Sequence, residues 1–271
     1  MKILVTGANS PLGKLINKEK TNFEDCNIYF ASSKPNRNQL KFTFKEGLQS
    51  FPEYRFDLVI HLAHPSNYQD DIIKSEITVL NKFVEKGIKI VNVASLSGCL
   101  TKPNAYGKYK REIEKWCMLN GQINIRCGLL FGGDYQGQIH KLKKFLSIFP
   151  FTIQSEIDGK IFLTPSKIFL GVIREIVVGK NHDNDIILSS DVPKTTNEIL
   201  RNLSTRKKFR VNISNKFMNS ILKLNLKSKY FNYDRYLGFI GSYNKACLGN
   251  KYLMLDSDLN REWSTYVKSI R

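Results

Sequence analysis

An α/β fold, with a mostly parallel sheet and helices on both faces, is what three features of this sequence predict. Strand-like apolar runs alternate with helical segments through the first half of the chain. The runs are nearly continuous in Val, Ile and Leu, as in Leu58-Val59-Ile60, and such strands are buried on both sides. The first of them, Lys2–Thr6, stops at a glycine and passes straight into a helical segment.

Taken in order, the first strand is followed by a helix predicted over Pro11–Lys18 and a second strand over Asn27–Ala31. Phe42 and Phe44 mark a third strand, and Asp57–Leu62 a fourth. Ile72, Ile73, Ile77, Leu80 and Phe83 share one helical face, so Asp70–Lys86 reads as a helix, with Gly87 in the position that ends it. A strand over Ile88–Ala94, a helix over Ala105–Leu119 and a strand over Gln122–Cys127 complete the alternation.

Beyond Gly132-Gly133 the rhythm loosens. Helices are expected over Lys141–Phe149, Pro165–Val178, Thr195–Leu203 and Asn215–Leu226, with a short strand at Ile186–Leu188. The expected organisation is a dinucleotide-binding region over 1–132 and, over 133–271, mainly a smaller substrate-binding lobe that returns elements to the sheet.

Composition narrows the class. A hydrophobic content of 42% over 271 residues suffices for a substantial core. No apolar run approaches the ~18 residues of a membrane helix. Met1 to Gly7 lacks the long apolar region of a signal peptide. Cys26, Cys99, Cys117, Cys127 and Cys247 are odd in number and irregular in spacing, which suits reduced thiols and a cytoplasmic protein. The net charge is +18, and residues 126–271 hold +12 of it. Nine basic residues and no acid lie from Arg201 to Lys229. Such a run suits a polyanionic partner, whether nucleotide, nucleic acid or anionic lipid. Nucleic acid is the weaker candidate, because only Phe209 adjoins the Arg206-Lys207-Lys208 core. Lys216, Lys223, Lys227 and Lys229 interleave with apolar residues, so weak peripheral membrane association is an alternative to a packed lobe helix.

The chemistry begins at Thr6-Gly7-Ala8-Asn9-Ser10-Pro11-Leu12-Gly13. A glycine turn between strand and helix aims free helix N–H groups at a pyrophosphate. Gly7, Asn9, Ser10, Pro11, Leu12 and Gly13 are the candidate contacts. Ser10 stands where a middle glycine is expected; its β-carbon takes room and its hydroxyl supplies a donor. This is a Rossmann-type arrangement. No acid follows the second strand to take the adenosine ribose hydroxyls. Ser32, Ser33, Lys34 and Arg37 stand there instead, which suits a 2′-phosphate and favours NADP over NAD. A solvated basic loop is the plainer alternative.

Tyr106 and Lys110 lie four apart at the start of the predicted Ala105–Leu119 helix, so they share a face. An ammonium beside a phenol lowers the cost of its anion, which supports proton transfer between alcohol and ketone. A hydroxyl to orient the carbonyl is available where the preceding strand ends, from Ser95 first and Ser97 second; either can instead cap loop backbone.

With these motifs the sequence resembles the extended short-chain dehydrogenase/reductases, in the NAD-dependent epimerase/dehydratase family that acts mostly on nucleotide sugars. The resemblance rests on Thr6 to Gly13, Ser95 and the Tyr106–Lys110 pair. His61-Leu62-Ala63-His64 resembles the family's fourth-strand end, and Arg126 to Gly132 its segment lining the nicotinamide, with Cys127 for the usual proline. The likeness implies catalytic Tyr106, Lys110 and Ser95, and cofactor contacts from Leu62, Ala63, Leu129, Tyr106 and Lys110. It departs at Ser10, at a short stretch from Ser95 to Tyr106, and at Thr164-Pro165-Ser166, where an Asp is usual. The activity it implies is reduction of a 4-keto-6-deoxy nucleotide sugar. A 4-epimerase with tightly held cofactor is the alternative, and a dinucleotide- or RNA-binding protein without turnover is another. A homodimer is the expected assembly. No metal is expected, since neither His61 nor His64 has Cys or carboxylate neighbours at ligand spacing.

Overall fold

In the computed structural model, which describes residues 1–23, 25–45, 55–65, 68–181, 183–190, 192–204, 209–214, 216, 220, 241, 243 and 256–269, the apolar opening run forms β1 (Lys2–Thr6). It feeds α1 (Pro11–Lys18), at the bounds expected from sequence. Strand β2 (Asn27–Ser32) follows. The third strand is not at Phe42 and Phe44: β3 is the two-residue Leu40–Lys41. Phe42 still bonds its N–H to Ser32 O at 3.0 Å, but its ring is buried and edge-on to Phe44, so aromatic packing ends the ladder there.

Strand β4 (Leu58–His61) is buried throughout, and α2 (Asp70–Glu85) closes through Gly87. Gly87 N bonds Val84 O at 2.9 Å and Ile88 N bonds Phe83 O at 3.0 Å, the paired bonds of a Schellman end. Strand β5 (Lys89–Ser95) leads through a 3₁₀ turn (Leu96–Cys99) to α3 (Ala105–Leu119), and β6 (Ile123–Cys127) follows.

The later elements are β7 (Leu129–Phe131), α4 (Gln138–Leu146), β8 (Thr152–Ser155), β9 (Lys160–Ile161), β10 (Leu163–Pro165) and α5 (Ser166–Val177). Then come β11 (Asp185–Leu188), β12 (Lys194–Thr195), α6 (Thr196–Leu203), β13 (Arg210–Ile213) and α7 (Asp256–Ser269). Helix α4 starts three residues earlier than the expected Lys141, and Pro165 belongs to β10 rather than to α5. The helix expected over Asn215–Leu226 lies outside the described residues except at Lys216 and Ser220. So do Arg206-Lys207-Lys208, His182 and Cys247.

The seven-stranded sheet has the order β11-β6-β5-β4-β1-β2-β3. Strands β1 to β5 pair in parallel, with Val5 opposite Phe30 on one side and Ile60 on the other. From β1 the chain winds outward to β3, then returns to β4 and winds the other way. Right-handed crossovers in the two directions place α1 on one face and α2 and α3 on the other. The reversal between β1 and β4 is the kind of switch point at which open sheets bind ligands.

Two compact units make up the described chain. One comprises Met1–Ser95, Lys108–Arg126 and Leu170–Ile186; the other comprises Leu96–Gly107, Cys127–Phe169 and Ile187–Arg271. The second has its own core, in which Ile139, Leu142 and Phe145 of α4 meet Ile199 and Leu203 of α6 and Trp263 of α7. Helix α6 opens with a reciprocal cap: Thr195 Oγ1 accepts from Glu198 N at 3.2 Å and Glu198 Oε2 accepts from Thr195 N at 3.0 Å. No helix among the described residues is long and apolar enough to cross a membrane.

Candidate active site

The turn after β1 is shaped by close approach. Gly7 has φ +70°, and a β-carbon on it would lie 2.7 Å from Ala63 N. A β-carbon on Gly13 would lie 2.6 Å from Gly7 O, so α1 sits against the turn only because both residues are glycine. Ser10 is the N-cap of α1, and its Oγ accepts from Gly13 N at 3.0 Å. That bond removes one helix N–H from a prospective anion, and Pro11 has none. Leu12 N–H remains, and so does the Ser10 hydroxyl proton, because Oγ uses only a lone pair on Gly13. The cradle therefore fits a pyrophosphate, with a hydroxyl in place of one backbone donor.

Asn9 ties this turn to the loop after β2. Its Nδ2 donates to Ser32 Oγ and to Lys34 O, both at 2.8 Å, and its Oδ1 accepts from Gln39 Nε2 at 3.2 Å. Ser32 is buried, and its Oγ also accepts from Lys34 N at 3.2 Å. It shapes the loop, while Ser33, Lys34 and Arg37 are exposed.

At the end of β4 the N–H groups of Leu62 and Ala63 point to Thr6 Oγ1, at 3.2 and 3.3 Å. His61 joins a buried polar cluster: Nδ1 is 3.0 Å from Thr6 Oγ1 and Nε2 is 2.9 Å from Glu76 Oε1. Tyr109 donates to Glu76 at 2.7 and 2.9 Å. Sequence reasoning missed Glu76 and Tyr109. The signal was available, because Glu76 falls on the same helical stripe as Ile72, Leu80 and Phe83, where an acid must find partners. His64 keeps part of its ring in solvent, yet the surrounding protein atoms, then the Lys110 ammonium, lower its pKa to about 4.

Helix α3 begins after Asn104, whose Oδ1 accepts from Gly107 N at 2.9 Å. Tyr106 and Lys110 follow one turn apart on it, as their spacing predicted. Lys110 is buried and donates from Nζ to Val93 O at 2.9 Å, so β5 fixes the ammonium. Ser95 is the last residue of β5 and is half-buried, while Ser97 lies in the 3₁₀ turn. Tyr135, unremarked in the sequence, has its phenol pushed above the ordinary range by burial and then by the neighbouring Tyr106 phenol. Cys99, Cys117 and Cys127 are buried; burial pushes the Cys117 thiol up to about 12, which disfavours its thiolate.

Arg126 anchors β6. Its Nη2 donates to both carboxylate oxygens of Asp185 at 2.7 Å, and Nε lies 2.6 Å from Glu114 Oε1. Burial raises the Glu114 pKa more than the guanidinium lowers it. Leu129 is half-buried and bonds its N–H to Phe162 O at 2.7 Å. In the Thr164-Pro165-Ser166 stretch, Ser166 Oγ donates to Gly132 O at 2.8 Å and Thr164 Oγ1 donates to Leu188 O. Among the described residues no group of three or more His, Cys, Asp or Glu is placed to hold a metal ion.

No family model and no curated protein matches the sequence. Solved structures do match the fold. ADP-L-glycero-D-manno-heptose-6-epimerase from Helicobacter pylori superposes with a TM-score of 0.64 at 12% identity, covering 99% of this chain and 96% of that one. This chain shares its fold. A dTDP-4-dehydrorhamnose reductase from Bacillus anthracis str. Ames, in complex with NADP, gives 0.62 at 16% identity over 99% and 98%. UDP-N-acetylglucosamine 4-epimerase from Bacillus cereus gives 0.61 at 15% identity over 87% and 93%. The Rossmann-type α/β fold expected from the motifs is borne out, since these structures share it over most of the chain.

Proposed function

We propose that this protein is an NAD(P)-dependent oxidoreductase of a nucleotide-linked sugar, and that it reduces a 4-keto-6-deoxy sugar with Tyr106 as proton donor. The observation that carries this reading is the Tyr106–Lys110 pair, set one turn apart on the helix after β5, with Lys110 Nζ held on Val93 O. Gly7, Asn9, Ser10, Pro11, Leu12 and Gly13 form the pyrophosphate cradle. Ser33, Lys34 and Arg37 reach a 2′-phosphate, with Ser32 supporting the loop. Leu62, Ala63 and Leu129 line the riboses and the nicotinamide, which supplies the hydride when bound. Lys110 holds the nicotinamide ribose and offsets charge developing on Tyr106, whose O–H gives its proton to the sugar oxygen. Ser95 orients the carbonyl. NADP, a homodimer and a cytoplasmic setting belong to the same reading, as do a dinucleotide region over 1–132 and a substrate lobe over 133–271.

A 4-epimerase is the second reading, favoured by the 4-epimerases among the matching structures. Mass spectrometry of small molecules released from the denatured native protein, followed by NADPH oxidation with a 4-keto-6-deoxy nucleotide sugar, separates the two. Consumption of one NADPH per sugar supports the reductase. A dinucleotide retained in stoichiometric amount, with interconversion and no consumption, supports the epimerase. Absence of both dinucleotide binding and turnover overturns the proposal.

A further inference from the structure

Thr6, His61, Glu76 and Tyr109 are each at most 1% exposed, and the proposed chemistry uses none of their side chains. Donor and acceptor counts define how they connect. The Thr6 hydroxyl has two acceptor lone pairs and one proton. Leu62 N–H and Ala63 N–H take the lone pairs, so the proton goes to His61 Nδ1 at 3.0 Å. Nδ1 is then the bare nitrogen, and Nε2 carries the ring proton to Glu76 Oε1 at 2.9 Å. The Glu76 carboxylate accepts this proton and the Tyr109 O–H together.

A leucine at position 76 would continue the apolar stripe of α2, and replacing buried charge with well-packed hydrocarbon is often neutral or stabilising. Fold stability alone gives little reason for the acid. What Glu76 does have is two ends. One leads through His61 and Thr6 to the turn that opens at Gly7. The other ends on Tyr109, next in sequence to Lys110, whose Nζ lies 5.6 Å from the Tyr109 ring centre.

We infer that Glu76 is a positioning residue that locks α3 to the dinucleotide turn, its carboxylate joining Tyr109, beside Lys110, to His61 and Thr6. The inference rests on the proposed dinucleotide binding. It makes the placement of Lys110 on the nicotinamide ribose depend on a contact remote from the ligand.

The test uses the whole chain. In ¹⁵N NMR of the wild type without cofactor, His61 is expected as the neutral Nε2–H tautomer. NADPH and NADH dissociation constants are then measured for wild type, Glu76→Gln, Tyr109→Phe and Val79→Ala, the last a buried change on α2 with no tie to the relay. Glu76→Gln and Tyr109→Phe are expected to weaken binding of the preferred dinucleotide about tenfold. Val79→Ala is expected to lower the melting temperature and leave binding as in wild type. Tyr109→Phe keeps the ring, so it serves if Glu76→Gln does not fold. An imidazolium or an Nδ1–H tautomer overturns the relay whatever the cofactor does. Wild-type affinity in Tyr109→Phe, or equal weakening in Val79→Ala, overturns the positioning role. A wild type that binds neither dinucleotide overturns the proposed function, and the positioning role falls with it.

Discussion

Replacing Tyr106 with Phe removes one oxygen from a helix that is otherwise capped and packed, so the fold and cofactor affinity are expected to persist. Turnover is expected to fall at least ~100-fold, the usual weight of a positioned proton donor. Lys110→Met is expected to differ: weaker cofactor binding together with an upward move of the pH optimum for alcohol oxidation. The loss of a charged hydrogen bond is typically ~1.5–3 kcal/mol. Cofactor titration and pH–rate profiles of the two variants check this, and a Lys110→Met profile that coincides with wild type sinks the assignment. The Tyr106–Lys110 pair was legible in sequence because four residues is one helical turn. The anchor of Lys110 on Val93 O was not, since a backbone acceptor 17 positions away leaves no mark in composition. Tyr135 was equally hidden, because only the tertiary arrangement brings its phenol near that of Tyr106.

At the scale of elements, the proposed preference for NADP rests on the loop after β2. Lys34 and Arg37 are exposed there, and residues 33–39 contain no acid. Wild type is expected to bind NADPH more tightly than NADH, and Lys34→Ala/Arg37→Ala to lose most of the difference. Isothermal titration reads both, and an NADH preference in wild type contradicts the reading. Bounds of helices with clear stops, α1 and α3, were legible to the residue. In contrast, β3 was displaced to Leu40–Lys41 because Phe42 and Phe44 have strand-like residue types but serve as packing. Helix α4 began early because Gln138 and His140 are polar positions flanking the buried Ile139, which obscured the periodicity. Arg126 lies in a segment expected to line the nicotinamide, yet its side chain is spent on Glu114 and Asp185. Nothing in the local sequence names Asp185, 59 residues away.

For the molecule as a whole, His64 links stability to pH. In the unfolded chain its ring takes a proton near 6.5, and in the folded protein only near 4. Between those values the unfolded state holds more protons, so stability falls as pH falls through that window. His64→Asn is expected to lose less stability than wild type between pH 7 and pH 5, read as the shift in urea midpoint. Equal loss in both proteins rules out a ring held neutral by its surroundings. The exposed part of the ring makes this a small contribution.

Under the proposed function, the Ser10 cap bears on how long a dinucleotide stays. Ser10 Oγ engages Gly13 N, and Pro11 offers no donor, so the pyrophosphate meets fewer fixed amides than a glycine at position 10 would leave open. A looser grip shortens residence time. An enzyme that consumes its reductant must exchange oxidised for reduced cofactor at every cycle, and for such an enzyme release is often the slow step. Fast exchange thus suits a reductase, whereas a catalyst that returns the hydride to the same sugar gains from never letting go. Ser10→Gly is expected to cost only roughly a few tenths of a kcal/mol in helix capping. It is also expected to slow dinucleotide dissociation in stopped-flow displacement. An unchanged off-rate would mean that the Gly13 amide never faced the ligand.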